Sequence, residues 1–144
     1  MGIFNNIGAT AAARARGQFF SRGTYTAKVL SCRHVTSKVG TDEFFVVDFD
    51  LEESTSSELP SGSTATWMAK LTGKFPVLAL ADVKAFIMAA TDAAEADVGE
   101  TEVMDAIDGD GSALAGQLVR VQVEDMVTKS GAAFSKHTFR PAYR

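Results

Sequence analysis

Residues 43–51 read EFFVVDFDL, and their alternation decides the fold class. One side of an extended chain would be apolar throughout, and it carries Phe45, Val47, Phe49 and Leu51. The other side is mixed, and it carries Phe44, Val46, Asp48 and Asp50. Alternation with a period of two predicts a strand that packs one face against a core. The protein is therefore predicted to be mainly β if other segments supply partner strands.

Four further segments have the composition of strands, and turn residues separate them. They are TYTAKVLSCR at 24–33, TATWMAKL at 64–71, QLVRVQVEDMV at 117–127 and AFSKHTFRP at 133–141. A polar loop with Pro60 and Gly62 follows the second strand, and TKSG with Gly131 precedes the last. We expect five strands.

The pattern changes period between the third and fourth strands. Apolar residues at steps of three and four predict an amphipathic helix over 78–90, with a buried stripe of Leu80, Val83, Phe86, Ile87 and Ala90. A shorter helix is predicted over 102–107, before the GDG at 109–111. Five strands with a helix between strands 3 and 4 is the element order of the OB-fold, a partly open Greek-key barrel that binds ligands on the face of strands 2 and 3.

The chain length supports one domain. With 144 residues and 46% hydrophobic residues, we expect a single α+β domain over 23–144, preceded by an arm over 1–22 that orders on a partner. No apolar run approaches the roughly 18 residues that a membrane-spanning helix needs, so no membrane partner is expected. The single Cys32 fits a reducing compartment, and we expect a cytoplasmic protein.

Charge is distributed unevenly along the chain. The formal net charge is -4, yet no acid precedes Asp42, and the earlier charges are all positive: Arg14, Arg16, Arg22, Lys28, Arg33 and Lys38. The segment after Asp125 is also basic. If these segments meet in the fold, an acidic protein would carry a positive groove.

The sequence resembles a family of phage-encoded single-stranded DNA-binding proteins. The resemblance rests on GTYTAKV, FFVVDFDLEES, GSTATWMAKL, ALADVKAFIMAA, LAGQLVRVQVED and FSKHTFRP, between residues 23 and 141. It implies a protein without catalytic activity or cofactor that coats single strands during replication or recombination, in the cytoplasm of an infected bacterial host. Self-association and contact with phage replication proteins are further expectations. Many such proteins end in an acidic tail, whereas this chain ends HTFRPAYR.

A protein that coats single strands needs cations for phosphates and flat side chains for bases. The predicted cations are Lys28, Arg33, Lys38, Lys70, Lys74, Arg120, Lys129, Lys136 and Arg140. The predicted stacking residues are Phe44, Trp67 and Phe134, with core packing as the alternative for Phe44 and for Trp67. Asp48 and Asp50 fall on the same face as Phe44 and would repel phosphate unless cations neutralise them.

Other functions have weaker support. Cys32, His34 and His137 lack the fourth ligand and the spacing of a metal site, so no metal is expected. Neither histidine lies beside a glycine-rich elbow of the kind that presents a nucleophile, so a hydrolase is only a distant alternative. The second hypothesis is a structural virion protein, in which the barrel is a building block and the arm reaches a neighbour.

Overall fold

The computed structural model describes residues 19–37, 42–72, 76–127, 131 and 133–142, without the side chains of residues 76, 133 and 134. The strands are β1 (Gly23–Thr36), β2 (Glu43–Ser54), β3 (Thr64–Lys70), β4 (Leu118–Val127) and β5 (Ala133–Pro141). The helices are α1 (Pro76–Thr91) and α2 (Glu100–Ile107), with one 3-10 turn at Glu95–Asp97 between them. The predicted mainly β fold with two helices after the third strand is confirmed.

All five strands form one antiparallel sheet in the order β3-β2-β1-β4-β5. β1 is the central strand, and only its first half pairs with β4, from Gly23 opposite Val123 to Lys28 opposite Leu118. β3 and β5 are the two edge strands, and within the described residues they form no ladder with each other.

Along the edge of β1 that faces β4, the second half of β1 is hydrogen-bonded instead to the segment between α2 and β4. Cys32 N donates to Gly111 O at 2.9 Å, and Gly111 has a φ of +74°. A Cβ at this position would clash with the backbone oxygen of Cys32, so only glycine fits. This contact holds the segment after α2 against the central strand.

The core lies on one face of the sheet and is rich in aromatic rings. It brings together Phe45 and Phe49 of β2, Trp67 of β3, Phe86 of α1 and Phe139 of β5. The ring centroids of Trp67 and Phe139 are 4.6 Å apart, although their strands stand at opposite edges of the sheet. The sheet is therefore strongly curled, and α1 packs inside the curl.

Helix α1 is buried over a shorter length than the sequence predicts. Val83, Phe86, Ile87 and Ala90 are buried as expected, but Leu80 is 56% exposed, so its prediction as a core residue is wrong. Ala79 packs against the edge of the core, but Val77, Leu78 and Leu80 are exposed, and fully buried helix residues begin at Val83. None of the helices in the described ranges is long and apolar enough to cross a membrane.

The residues just before β1 pack onto the sheet. Phe20 is 5% exposed, and its ring contacts those of Tyr25, Phe49 and His137 at centroid distances of 5.0, 5.5 and 5.9 Å. Phe19 forms an isolated parallel bridge with Thr66 on β3. Of the arm predicted over 1–22, residues 1–18 lie outside the described residues, and Phe19 and Phe20 belong to the fold.

Candidate nucleic-acid interface

The face of the sheet opposite the core is called the outer face here. On β2 it carries Phe44, which is half-buried, and register places Lys70 of β3 on one side of it and Val35 of β1 on the other. Next along β2, Val46 is buried between Arg33 and Met68 on the same two strands. The predicted stacking residue Phe44 and two predicted cations therefore share one face.

Cations reach the outer face from four of the five strands, by alternation within β3, β4 and β5 and, on β1, by a β-bulge between Val29 and Ser31 that lets two cations five residues apart share this face. They are Lys28 and Arg33 on β1, Lys70 on β3, Arg120 on β4, and Lys136 and Arg140 on β5. The fold thus gathers cations that are up to 112 residues apart in sequence.

Asp48 lies in the middle of this face, but its charge is neutralised. Its side chain is 15% exposed, and Oδ2 accepts hydrogen bonds from Arg33 Nη2 at 3.0 Å and Ser31 Oγ at 3.3 Å. Its Oδ1 accepts from Thr66 Oγ1 at 2.7 Å. The predicted repulsion of phosphate by Asp48 is thereby reduced, although the same ion pair also occupies Arg33.

The other cations of β1 and β3 are paired with carboxylates as well. Lys28 Nζ lies 3.2 Å from Glu52 Oε1, and Lys70 Nζ lies 3.6 Å from Asp42 Oδ2. Exposed pairs of this kind contribute about 1 kcal/mol or less to stability. A phosphate must nevertheless compete with each carboxylate, so the part of the outer face on β1, β2 and β3, called the β1–β3 half, has little free positive charge.

The part on β4 and β5, called the β4–β5 half, is arranged differently. Arg120 and Arg140 stand directly opposite each other, and within the described ranges neither forms an ion pair with a carboxylate. Like charges in this position repel each other. An anion that binds between two guanidinium groups relieves the repulsion and accepts hydrogen bonds from both.

A cavity of about 300 Å³ separates the two edge strands next to this half. Trp67 and Lys70 line it from β3, Lys136 and His137 from β5, and Asp82 from α1. Burial raises the pKa of Asp82, and Lys136 acts in the opposite direction. The positive charge of Lys136 is therefore partly offset by Asp82, and Lys136 also stands opposite Glu124 on β4. Arg120 lines a second cavity together with Glu52 and Glu53, without an ion pair to either within the described residues.

The remaining predicted site residues fall elsewhere. Trp67 is 4% exposed and packs between the rings of Phe45, Phe86 and Phe139, so it is a core residue with no free face for a base. Lys38, Lys74 and Lys129 lie outside the described residues. Phe134 belongs to β5, opposite Met126, but its side chain is not among those described.

Two exposed apolar residues near the outer face were not predicted from the sequence. Phe19 is 58% exposed beside β3, and Met68 is partly exposed on β3 itself. Met68 follows from the alternation of β3, since its neighbours Trp67 and Ala69 are buried. Phe19 has no such signal, because it precedes the first alternating segment.

The three potential metal ligands have separate structural roles. Burial and the nearby Asp48 raise the pKa of the Cys32 thiol to about 12, so it stays protonated and unreactive at neutral pH. His34 Nε2 lies 3.0 Å from Glu43 Oε1, and burial lowers the pKa of His137. Over the ranges that the structure describes, no three His, Cys, Asp or Glu side chains are grouped as a metal site.

Comparison with known proteins adds no family assignment. Neither a scan against protein-family models nor a search of the curated proteins finds a match for this chain. The resemblance to phage-encoded single-stranded DNA-binding proteins therefore stays a prediction that depends on the residues quoted above.

Proposed function

We propose that the protein is a non-catalytic single-stranded DNA-binding protein built on an OB-fold barrel that is open between β3 and β5. The sheet order, the curl that brings Trp67 and Phe139 into contact, and the position of α1 between β3 and β4 support this architecture. A role in phage replication or recombination, inside an infected bacterial cell, follows from the resemblance and is part of the proposal.

The observation that carries the proposal is the composition of the outer face. It combines the half-buried ring of Phe44 with cations from four strands, in a protein whose net charge is -4. Sequence-independent binding of a single strand requires this combination, because bases stack on rings while cations follow the phosphates. The neutralisation of Asp48 by Arg33 further supports the proposal, since an unpaired carboxylate there would oppose binding.

Titration of a fluorescent oligo-dT at several salt concentrations tests the proposal. If the three outer-face cations that form no ion pair in the described ranges, Arg120, Lys136 and Arg140, each contact one phosphate, log K should fall with log[salt] with a slope of about -2. Displacement of carboxylates from the three paired cations would steepen the slope to about -4. Duplex DNA of equal length tests the preference for a single strand, and an oligo-U of the same length tests the preference for DNA over RNA. Absence of binding at micromolar protein and low salt would overturn the proposal.

A further inference from the structure

We infer that Phe19 is a base-stacking residue that extends the proposed interface past the edge of β3. The inference rests on the proposed function and adds a residue to it that the sequence patterns do not reveal. It is supported by the backbone position of Phe19, by its side-chain exposure and by the role of its neighbour Phe20.

The backbone of Phe19 is held in a defined place. Its parallel bridge to Thr66 attaches it to the free edge of β3, and the next residue, Phe20, is anchored in the core against Tyr25, Phe49 and His137. Because Phe19 forms the bridge and the next residue is fixed in the core, the Phe19 backbone has little conformational freedom to lose on binding. The ordering cost of using it as a contact is therefore small.

The side chain of Phe19 belongs to the outer face. Side chains alternate along an extended chain, and Phe20 points into the core, so Phe19 points the other way. Its bridge partner Thr66 is also an outer-face residue, because Thr66 Oγ1 donates to Asp48 Oδ1 at 2.7 Å. Phe19 thus continues the cross-strand row that runs from Ser31 through Asp48 and Thr66 to the edge of the sheet.

Phe19 and Phe44 are placed to bind different bases. Asp48 stands opposite Thr66, and Phe44 lies four residues from Asp48 along β2. With about 3.4 Å per residue along a strand and about 4.8 Å between strands, the Phe19 and Phe44 backbones are about 17 Å apart. A strand that stacks on both rings crosses the outer face diagonally, and Lys70 and Met68 lie on the β3 segment beyond Thr66.

Fold stability does not account for an exposed aromatic ring at this position. Isolated exposed apolar residues are common in proteins, and Val77, Leu78 and Val127 are other examples here. Those residues are aliphatic and offer no π-face. Phe19 is 58% exposed, and the core anchoring of this segment is provided by Phe20. The ring of Phe19 is therefore available for a ligand, and nucleobases are flat ligands that stack on such rings.

The test is oligo-dT titration of the full chain with Phe19→Ala, Phe19→Leu and Phe19→Trp, with Leu78→Ala as the matched exposed control. We expect the Ala and Leu variants to bind about 5- to 150-fold more weakly, because the loss of one stacked base has this effect. The slope of log K against log[salt] should stay at the wild-type value, because stacking releases no counterions. Phe19→Trp should retain affinity, and its exposed indole should be quenched by the oligonucleotide.

The outcomes separate this inference from the proposed function. Wild-type protein that does not bind oligo-dT overturns the proposed function, and the inference with it. Wild-type binding with Phe19→Ala within about twofold of it overturns the inference alone. Wild-type affinity in the Phe19→Leu variant would also overturn the inference, because an aliphatic contact would then be sufficient. Circular dichroism of each variant checks folding, and Phe19→Leu and Phe19→Trp keep the test valid if the Ala variant unfolds.

Discussion

The two halves of the outer face carry similar numbers of cations but differ in how these cations are compensated. In the β1–β3 half, Lys28, Arg33 and Lys70 each lie within 4 Å of a carboxylate. In the β4–β5 half, Arg120 and Arg140 face each other with no such partner in the described ranges. Counting cations therefore overestimates the attraction of the first half for phosphate. The difference predicts that arginines on β4 and β5 carry most of the salt-dependent binding.

The compensation also explains how acids and cations coexist on one face. The Arg33–Asp48 pair is half-buried and joins three strands, because Asp48 on β2 accepts from Arg33 on β1 and Thr66 on β3. Such a pair stabilises the arrangement of the strands only while both charges are present, since a lone charge there would be poorly solvated. The β1–β3 half is thus organised by its ion pairs, whereas in the β4–β5 half Lys136 stands opposite Glu124 and the two arginines form no ion pair within the described ranges.

The largest effect is expected from removing both opposed arginines. The double variant Arg120→Ala/Arg140→Ala should show a slope of log K against log[salt] that is shallower by about 1.4. When the salt is lowered from 1 M to 0.1 M, its affinity for oligo-dT should therefore rise about 25-fold less than that of the wild-type protein. The fold should be retained, because both side chains are exposed. Lys84→Ala on α1 is the control for loss of a cation away from the outer face. An unchanged slope in the double variant would remove the distinction between the halves.

A smaller effect of opposite sign is expected from Asp48→Asn. This change keeps the shape of the side chain and releases Arg33 to bind phosphate, so affinity should rise about fivefold at 0.1 M salt, with a slope steeper by about 0.7. Stability should fall by about 1–3 kcal/mol, because the charge-assisted hydrogen bond from Arg33 is weakened. Urea denaturation measures the second quantity, and Asp105→Asn on α2 is the control. Weaker binding by a folded variant would contradict the neutralisation argument.

The smallest effect is expected from Lys28→Ala. Lys28 is already paired with Glu52 and is partly exposed, so its loss removes little free positive charge. Affinity for oligo-dT should stay within about twofold of wild type, and stability should change by about 1 kcal/mol or less. A loss as large as that of the arginine double variant would show that the β1–β3 half binds phosphate despite its carboxylates.

Alternation in the sequence predicted most of the fold. All five predicted strands are present within three residues of their predicted ends, because each alternates between a core residue and an outer-face residue. Leu80 was misassigned because a helical stripe shows which side is apolar but not how far the helix extends past the sheet. Phe19 and Phe20 were placed in an arm, since two adjacent aromatics before the first strand give no periodic signal.

The candidate site was predicted only in part. Alternation places Phe44 and the cations of β3, β4 and β5 on the outer face. Lys28 and Arg33, five residues apart on β1, share it because a β-bulge between Val29 and Ser31, which the sequence does not reveal, shifts the alternation by one residue. The ion pairs could not be predicted, because Lys28 with Glu52 and Arg33 with Asp48 depend on the register between β1 and β2. The opposition of Arg120 and Arg140 likewise depends on the register of the β4–β5 hairpin.

The most direct test of the central claim is to map amide chemical shifts of the full chain during titration with oligo-dT at low salt. The account predicts that perturbed residues cluster on the outer face, around Phe44, Arg120 and Arg140, with α2 and the exposed start of α1 unaffected. Perturbations confined to the helices, or no perturbation at saturating oligonucleotide, would contradict it.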